Sequence, residues 1–119
     1  MEELNLFRAL SNETRLRIMV LLSERELCVC HLEWALGLTQ AKVSRHLTVL
    51  KNAGLVKYRR KGLWIFYSLS KAKNGLERAV YKYLKYYFVK NYNLFKKDLV
   101  NMNKCIAKPL EKLSTIRNL

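Results

Sequence analysis

In the first half of the chain, apolar positions recur at helical spacing. Leu4, Phe7, Ala9 and Leu10 form a short amphipathic stretch that Ser11-Asn12 stops, and the same pair offers a cap to the next helix. Leu16, Met19, Val20 and Leu22 predict that second helix, with Arg15 and Arg17 on its outer side. A charged turn over residues 23–26 leads into a third helix over residues 27–36, with Val29, Leu32 and Leu36 inward. Gly37 stands where a helix-ending glycine belongs. Thr39 is a good cap for a fourth helix, in which Val43, Leu47 and Leu50 repeat at i, i+4 and i+7 before Gly54 ends it. Two helices joined by about three residues, with glycine in the turn, have the spacing of a helix-turn-helix.

The period then changes. Residues 55–60 and 63–69 are short stretches rich in Val, Ile, Trp, Tyr and Phe, with Leu63, Ile65, Tyr67 and Leu69 alternating against Trp64, Phe66 and Ser68. Lys61-Gly62 is the expected turn between two strands. A hairpin directly after a recognition helix is a wing. Beyond Ser70 the helical period returns: Leu76, Val80, Tyr83, Leu84, Tyr87 and Phe88 form a stripe, and Leu94, Phe95, Leu99, Met102 and Ile106 continue it after a bend at Asn91-Tyr92-Asn93. Pro109 ends or interrupts that segment. The expected fold is mainly α with a small β-hairpin, a winged helix-turn-helix. Residues 1–90 are its DNA-binding domain, and residues 91–119 are a C-terminal helical extension for dimerisation or sensing.

Charge narrows the function. The chain has 119 residues, with 23 Lys and Arg against 9 Asp and Glu, a formal charge of +14. Between residues 34 and 76 there is no acid, while Lys42, Arg45, Lys51, Lys57, Arg59, Arg60, Lys61, Lys71 and Lys73 all lie there. An acid-free basic block in the middle of a small domain points to a polyanion, and to nucleic acid first. An anionic membrane is the weaker partner, because these cations are not laid along one amphipathic helix. No run approaches 18 apolar residues, so no membrane span is expected. The N-terminus starts acidic and lacks a basic-then-apolar signal, which makes the cytoplasm the expected compartment and keeps the three cysteines as thiols. No nucleophile–base arrangement, phosphate-binding glycine loop or paired carboxylates stand in the basic block, so no enzyme is expected.

With Val43, Leu47 and Leu50 inward, the fourth helix turns Gln40, Lys42, Ser44, Arg45 and Lys51 outward, with His46 at the boundary. Gln40, Ser44 and Arg45 have the chemistry to read base edges. Lys42, Lys51 and the wing cations Arg59, Arg60 and Lys61 supply phosphate attraction. His46 contacts phosphate or caps local packing. One reading head of this size binds double-stranded operator DNA selectively as a two-fold dimer. Tyr81, Tyr83, Tyr86, Tyr87, Phe88 and Tyr92, with the first helix beside them, are the expected homodimer surface, although part of that stripe must be core.

Cys28, Cys30 and His31 put soft ligands within four residues at a predicted helix start, where thiolates are favoured. Glu26-Leu27-Cys28-Val29-Cys30-His31-Leu32 resembles the metal box of the ArsR/SmtB family of bacterial metal-responsive repressors. Residues 38–47 and 50–56 resemble the family's recognition helix, and residues 59–67 its wing. The resemblance covers about residues 4–90. It implies a dimeric repressor that leaves its operator when a thiophilic metal or metalloid binds: arsenite or antimonite, cadmium, lead or zinc. No metal is implied for folding.

There are departures. Glu33 stands where the arsenite-type box has a third cysteine, and His31 replaces its Asp. No Cys precedes Cys28, and residues 71–119 hold no His. The expected metal residues are Cys28, Cys30 and Cys105, with His31 as a lesser candidate. On a regular helix, residues i and i+2 point about 200° apart, so joint capture by Cys28 and Cys30 predicts unwinding of the helix start. Two alternatives keep the DNA-binding module: a repressor whose thiols sense oxidants or sulfur species, and a DNA-binding protein that senses nothing.

Overall fold

A computed structural model describes the backbone of residues 1–117 and side chains through residue 113. Helices α1 (Glu2–Leu10) and α2 (Glu13–Glu24) open the chain, and the Asn12 side chain accepts the Arg15 amide to cap α2. A short strand β1 (Leu27–Cys28) comes next, then α3 (Val29–Leu36) and α4 (Gln40–Asn52). Strands β2 (Val56–Lys61) and β3 (Trp64–Leu69) form the wing. Helices α5 (Gly75–Asn91), α6 (Asn93–Ile106) and α7 (Leu110–Arg117) complete the described chain.

The sheet is antiparallel in the order β1-β3-β2. Two sequence expectations change here. The third helix starts at Val29, because Leu27 and Cys28 are extended and pair with Tyr67 and Phe66 of β3. The hairpin turn is Gly62-Leu63, because Lys61 pairs with Trp64. Gly62 takes φ +61°, the left-handed backbone that a tight hairpin turn requires and glycine adopts freely.

Ile18, Met19 and Leu21 of α2, Leu32 of α3, Val43, Leu47 and Leu50 of α4, and Leu55 are fully buried in one core. Phe95, Met102 and Cys105 of α6 and Leu113 of α7 belong to that same core, so the segment from residue 91 packs on the helices before it. Gly37, at φ +66°, donates its amide to the Glu33 carbonyl and ends α3, and Thr39 accepts the Lys42 amide to start α4. The helix-turn-helix is therefore built as its glycine and threonine predict. Arg17 departs from the expected outward position. Its guanidinium donates to both Asp98 oxygens, at 2.8 and 2.9 Å, and to the Leu36 carbonyl at 3.3 Å, which ties α2, α3 and α6 together.

Candidate nucleic-acid interface and thiol site

Cys28 is the residue before α3, with φ −70° and ψ 153°, and its sulfur accepts the backbone amide of His31. In return His31 Nδ1 accepts the Cys28 amide at 3.0 Å. This reciprocal cap gives His31, which is 7% exposed, a structural task. Burial is the main cause of its pKa falling to about 4. The ring is neutral, and because Nδ1 accepts, the proton sits on Nε2.

Because Cys28 lies outside the helical turn, its side chain escapes the 200° separation expected on a regular helix. A side-chain hydrogen bond with Cys30 is the largest cause of the Cys28 pKa falling to about 7. The same bond and burial push Cys30 up.

Both cysteines line an open cleft of about 260 Å³. Its other walls are Val29 and Glu33 of α3, Gln40 and Ser44 of α4, and Leu63, Trp64, Ile65 and Tyr67 of the wing. The thiols and two of the expected base-reading residues therefore share one cleft. Sequence reasoning missed the wing residues as part of this site. The alternation along residues 63–69 did place Ile65 and Tyr67 on one face, but it could not say what that face meets. Cys105 does not line the cleft. It is buried, its Sγ donates to the Met102 carbonyl at 3.2 Å and toward the His31 carbonyl at 3.8 Å, and burial pushes its pKa to about 11. Among the described residues, no group of three or more His, Cys, Asp or Glu side chains is placed to hold a metal ion.

On α4, Gln40, Lys42, Arg45 and Lys51 are exposed and Ser44 is half-buried. The Lys51 ammonium lies 4.9 Å from the Tyr58 ring centroid. His46 is half-buried, and its Nδ1 accepts from Arg15 at 3.3 Å. Burial and then the Arg15, Arg45 and Lys42 charges lower its pKa, so it packs as a neutral ring. Arg60 and Lys61 are exposed near the wing tip. Arg59 is held: it donates to both Glu26 oxygens, at 2.7 and 2.8 Å, and its guanidinium lies 4.9 Å from the Phe66 centroid. Glu26 precedes β1, so this ion pair clasps the thiol segment to the wing. No described helix is long and apolar enough to cross a membrane.

The sequence pattern of bacterial regulatory proteins of the arsR family matches residues 12–58, from the α2 cap to β2, which takes in the thiol pair and all of α4. HlyU from Vibrio cholerae N16961 superposes with a TM-score of 0.66 at 32% identity, over 75% of this chain and 94% of that one. The chain belongs to the arsR family of bacterial regulatory proteins.

Within the family, the arsenical resistance operon repressor of Escherichia coli strain K12 is 52% identical over 68 residues, which are 56% of this chain and 58% of that protein. The chain thus spans less than two thirds of that relative. A homodimeric winged helix-turn-helix DNA-binding domain from Mycobacterium bovis, Mb0332, matches with a TM-score of 0.60 at 29% identity, over 70% of this chain and 71% of that one. The arsR-family fold therefore extends past residue 58 to the wing tip and the helix beyond it.

Proposed function

We propose that this chain is a ligand-responsive transcriptional repressor. It binds operator DNA as a homodimer through α4 and the wing, and it is released when a thiophilic metal or metalloid is captured by Cys28 and Cys30. The observation that carries this reading is the shared cleft, in which the two sulfurs face Gln40 and Ser44 of α4 and the wing residues Trp64 and Ile65. Soft thiophilic ions suit paired thiolates. An ion drawn to these sulfurs pulls on β1, which is hydrogen-bonded to the wing at Phe66 and Tyr67, and on the first turn of α3, which leads through Gly37 into α4. Both DNA-contacting elements are thereby displaced from the spacing that fits a groove.

Gln40, Ser44 and Arg45 supply base reading, and Lys42, Lys51, Arg60 and Lys61 supply phosphate attraction. Arg59 adds to that attraction less freely, because Glu26 holds it. Arsenical inducers are favoured by the E. coli relative, an arsenical resistance operon repressor. A second copy is favoured by the homodimeric Mycobacterium bovis domain and by an uncovered apolar face: Leu4 and Phe7 of α1 and Leu76, Tyr83 and Tyr87 of α5 are all exposed.

A second reading makes the thiols an oxidant sensor. The placement of both free thiols on one open cleft favours it, since an oxidant that enters there meets the two together. Trivalent arsenic and a thiol oxidant, each titrated into the reduced protein on DNA, separate the two. Release by arsenic in the wild type and none in Cys28→Ser supports the metalloid reading. Release by oxidant alone supports the second. A full arsenic response in Cys28→Ser removes the thiol pair as the inducer site.

A further inference from the structure

Helices α1 and α4 leave an open cleft of about 390 Å³ between them. Asn5, Arg8 and Ala9 of α1 line one wall, and Val49, Asn52 and Ala53 at the end of α4 line the other. The Arg15 side chain also lines this cleft and spans it. Its backbone is fixed first, because the Asn12 side chain accepts the Arg15 amide at 3.0 Å where α2 begins. Its Nε then donates to the Ala9 carbonyl at 2.6 Å and its Nη2 to the Arg8 carbonyl at 3.3 Å, both in the last turn of α1. Its Nη1 donates to Nδ1 of His46, on α4, at 3.3 Å. All three guanidinium nitrogens are thus spent on two helices. A planar fork holds its acceptors in a fixed relation, which a swivelling ammonium does not. The α1 carbonyls stand at a helix C-terminus, where a cation is favoured in any case.

The two helices have different tasks. α1 exposes Leu4 and Phe7 on the face proposed for a second copy. His46 stands next to Arg45 in the stretch proposed to read bases. Val43, Leu47 and Leu50 hold α4 on its core side, and Arg15 holds it on the cleft side. We infer that Arg15 and His46 form a strut that sets the distance and angle between the dimer face and the reading helix, and thereby the half-site spacing that the dimer accepts. The inference rests on the homodimeric repressor reading and names the residues that decide its operator geometry. In a two-fold dimer each strut is present twice, so a tilt at one reading head is repeated at the other. Adding one base pair moves a half-site by about 3.4 Å along the duplex and about 35° around it. Braced heads do not follow that move, whereas loosened heads do. Arg15 and His46 are positioning residues, acting through Arg45 and its neighbours.

The test uses the full reduced chain, without inducer, on a duplex that it has itself selected from random sequence. The two half-sites are moved together or apart by one and by two base pairs, and a duplex with one half-site is the reference. Fluorescence anisotropy reads affinity. The wild type should lose at least about tenfold for a change of one base pair, since its second head no longer engages. That penalty should be at least about threefold smaller in His46→Leu, which keeps the Arg15 bonds to α1, and in Arg15→Met, with half-site affinity within about twofold of wild type. His46→Gln, whose amide oxygen can accept from Arg15, should restore the wild-type penalty. His46→Leu decides alone if Arg15→Met does not fold. An unchanged spacing penalty in His46→Leu overturns the inference and leaves the dimeric repressor standing. Equal losses on the half-site and the full duplex place His46 on phosphate and also overturn it. A wild type indifferent to spacing overturns both the inference and the dimeric reading.

Discussion

At Arg17 the chain commits a cation to its interior. The side chain is 12% exposed and its partner, Asp98, 3%. The Asp98 hydrogen bond is the largest cause of the raised Arg17 pKa. Removing one member of a buried pair leaves the other charge without compensation, which typically costs about 3–5 kcal/mol. Arg17→Ala should therefore lower unfolding stability by about that amount in urea titrations, while Arg17→Met with Asp98→Leu should recover most of it. Equal loss in the single and double variants would show that the ion pair is not what ties α6 to α2. Nothing near Arg17 in the sequence pointed to this pair, because Asp98 lies 81 positions away. The capping task of His31 was hidden for a similar reason. Its task is a hydrogen bond to the Cys28 backbone, and that depends on where the helix begins rather than on which residues stand beside it.

The elements were legible where glycine, threonine and apolar spacing act locally. Gly37, Thr39 and the Val43-Leu47-Leu50 stripe specify α3, the turn and α4, and the structure keeps each role. β1 was not legible. It has two residues, it continues a helical apolar pattern, and it is extended only because β3 lies alongside to accept it. That one difference joins the thiol segment to the wing. The division of labour between α4 and the wing is also an element-scale matter. Arg45 is exposed on α4, while Arg60 is exposed on β2 opposite Ile65. Arg45→Ala should reduce the preference for selected over random duplex, by about 1–3 kcal/mol of lost discrimination if it reads a base bidentately. Arg60→Ala should weaken both duplexes alike and lower the salt slope by about one. Equal losses on the two duplexes for Arg45→Ala would place Arg45 on phosphate instead.

For the whole molecule, the +14 charge is divided by the fold. The acid-free block becomes α4, the wing and the strand-to-helix link into α5, whereas the acids of α1 and α2 lie outside it. The stripe of the last helices is also divided. Leu84, Phe95 and Met102 enter the core, but Tyr83 is 68% exposed and Phe7 51%, on the face where α1 and α5 lie together. Sequence periodicity named the stripe and could not separate its two uses, since both need apolar residues at helical spacing. If that face holds a second copy, Tyr83→Glu should leave the folded chain stable, convert dimer to monomer in sedimentation, and weaken DNA binding by at least about tenfold through loss of the paired half-site. A dimer of undiminished affinity would place the interface elsewhere.

The central claim is that the thiol pair and the DNA-contacting elements are coupled through one cleft. Coupling of this kind is reciprocal: the factor by which ligand weakens DNA binding must equal the factor by which DNA weakens ligand binding, typically about 5–150-fold. The direct measurement closes that cycle, with DNA affinity determined for reduced protein free and loaded with trivalent arsenic, and arsenic affinity determined with and without saturating selected duplex. The predicted result is two equal factors of at least about fivefold in the wild type, and a factor of one in Cys28→Ser with Cys30→Ser. Unchanged DNA affinity in fully loaded wild-type protein would contradict it.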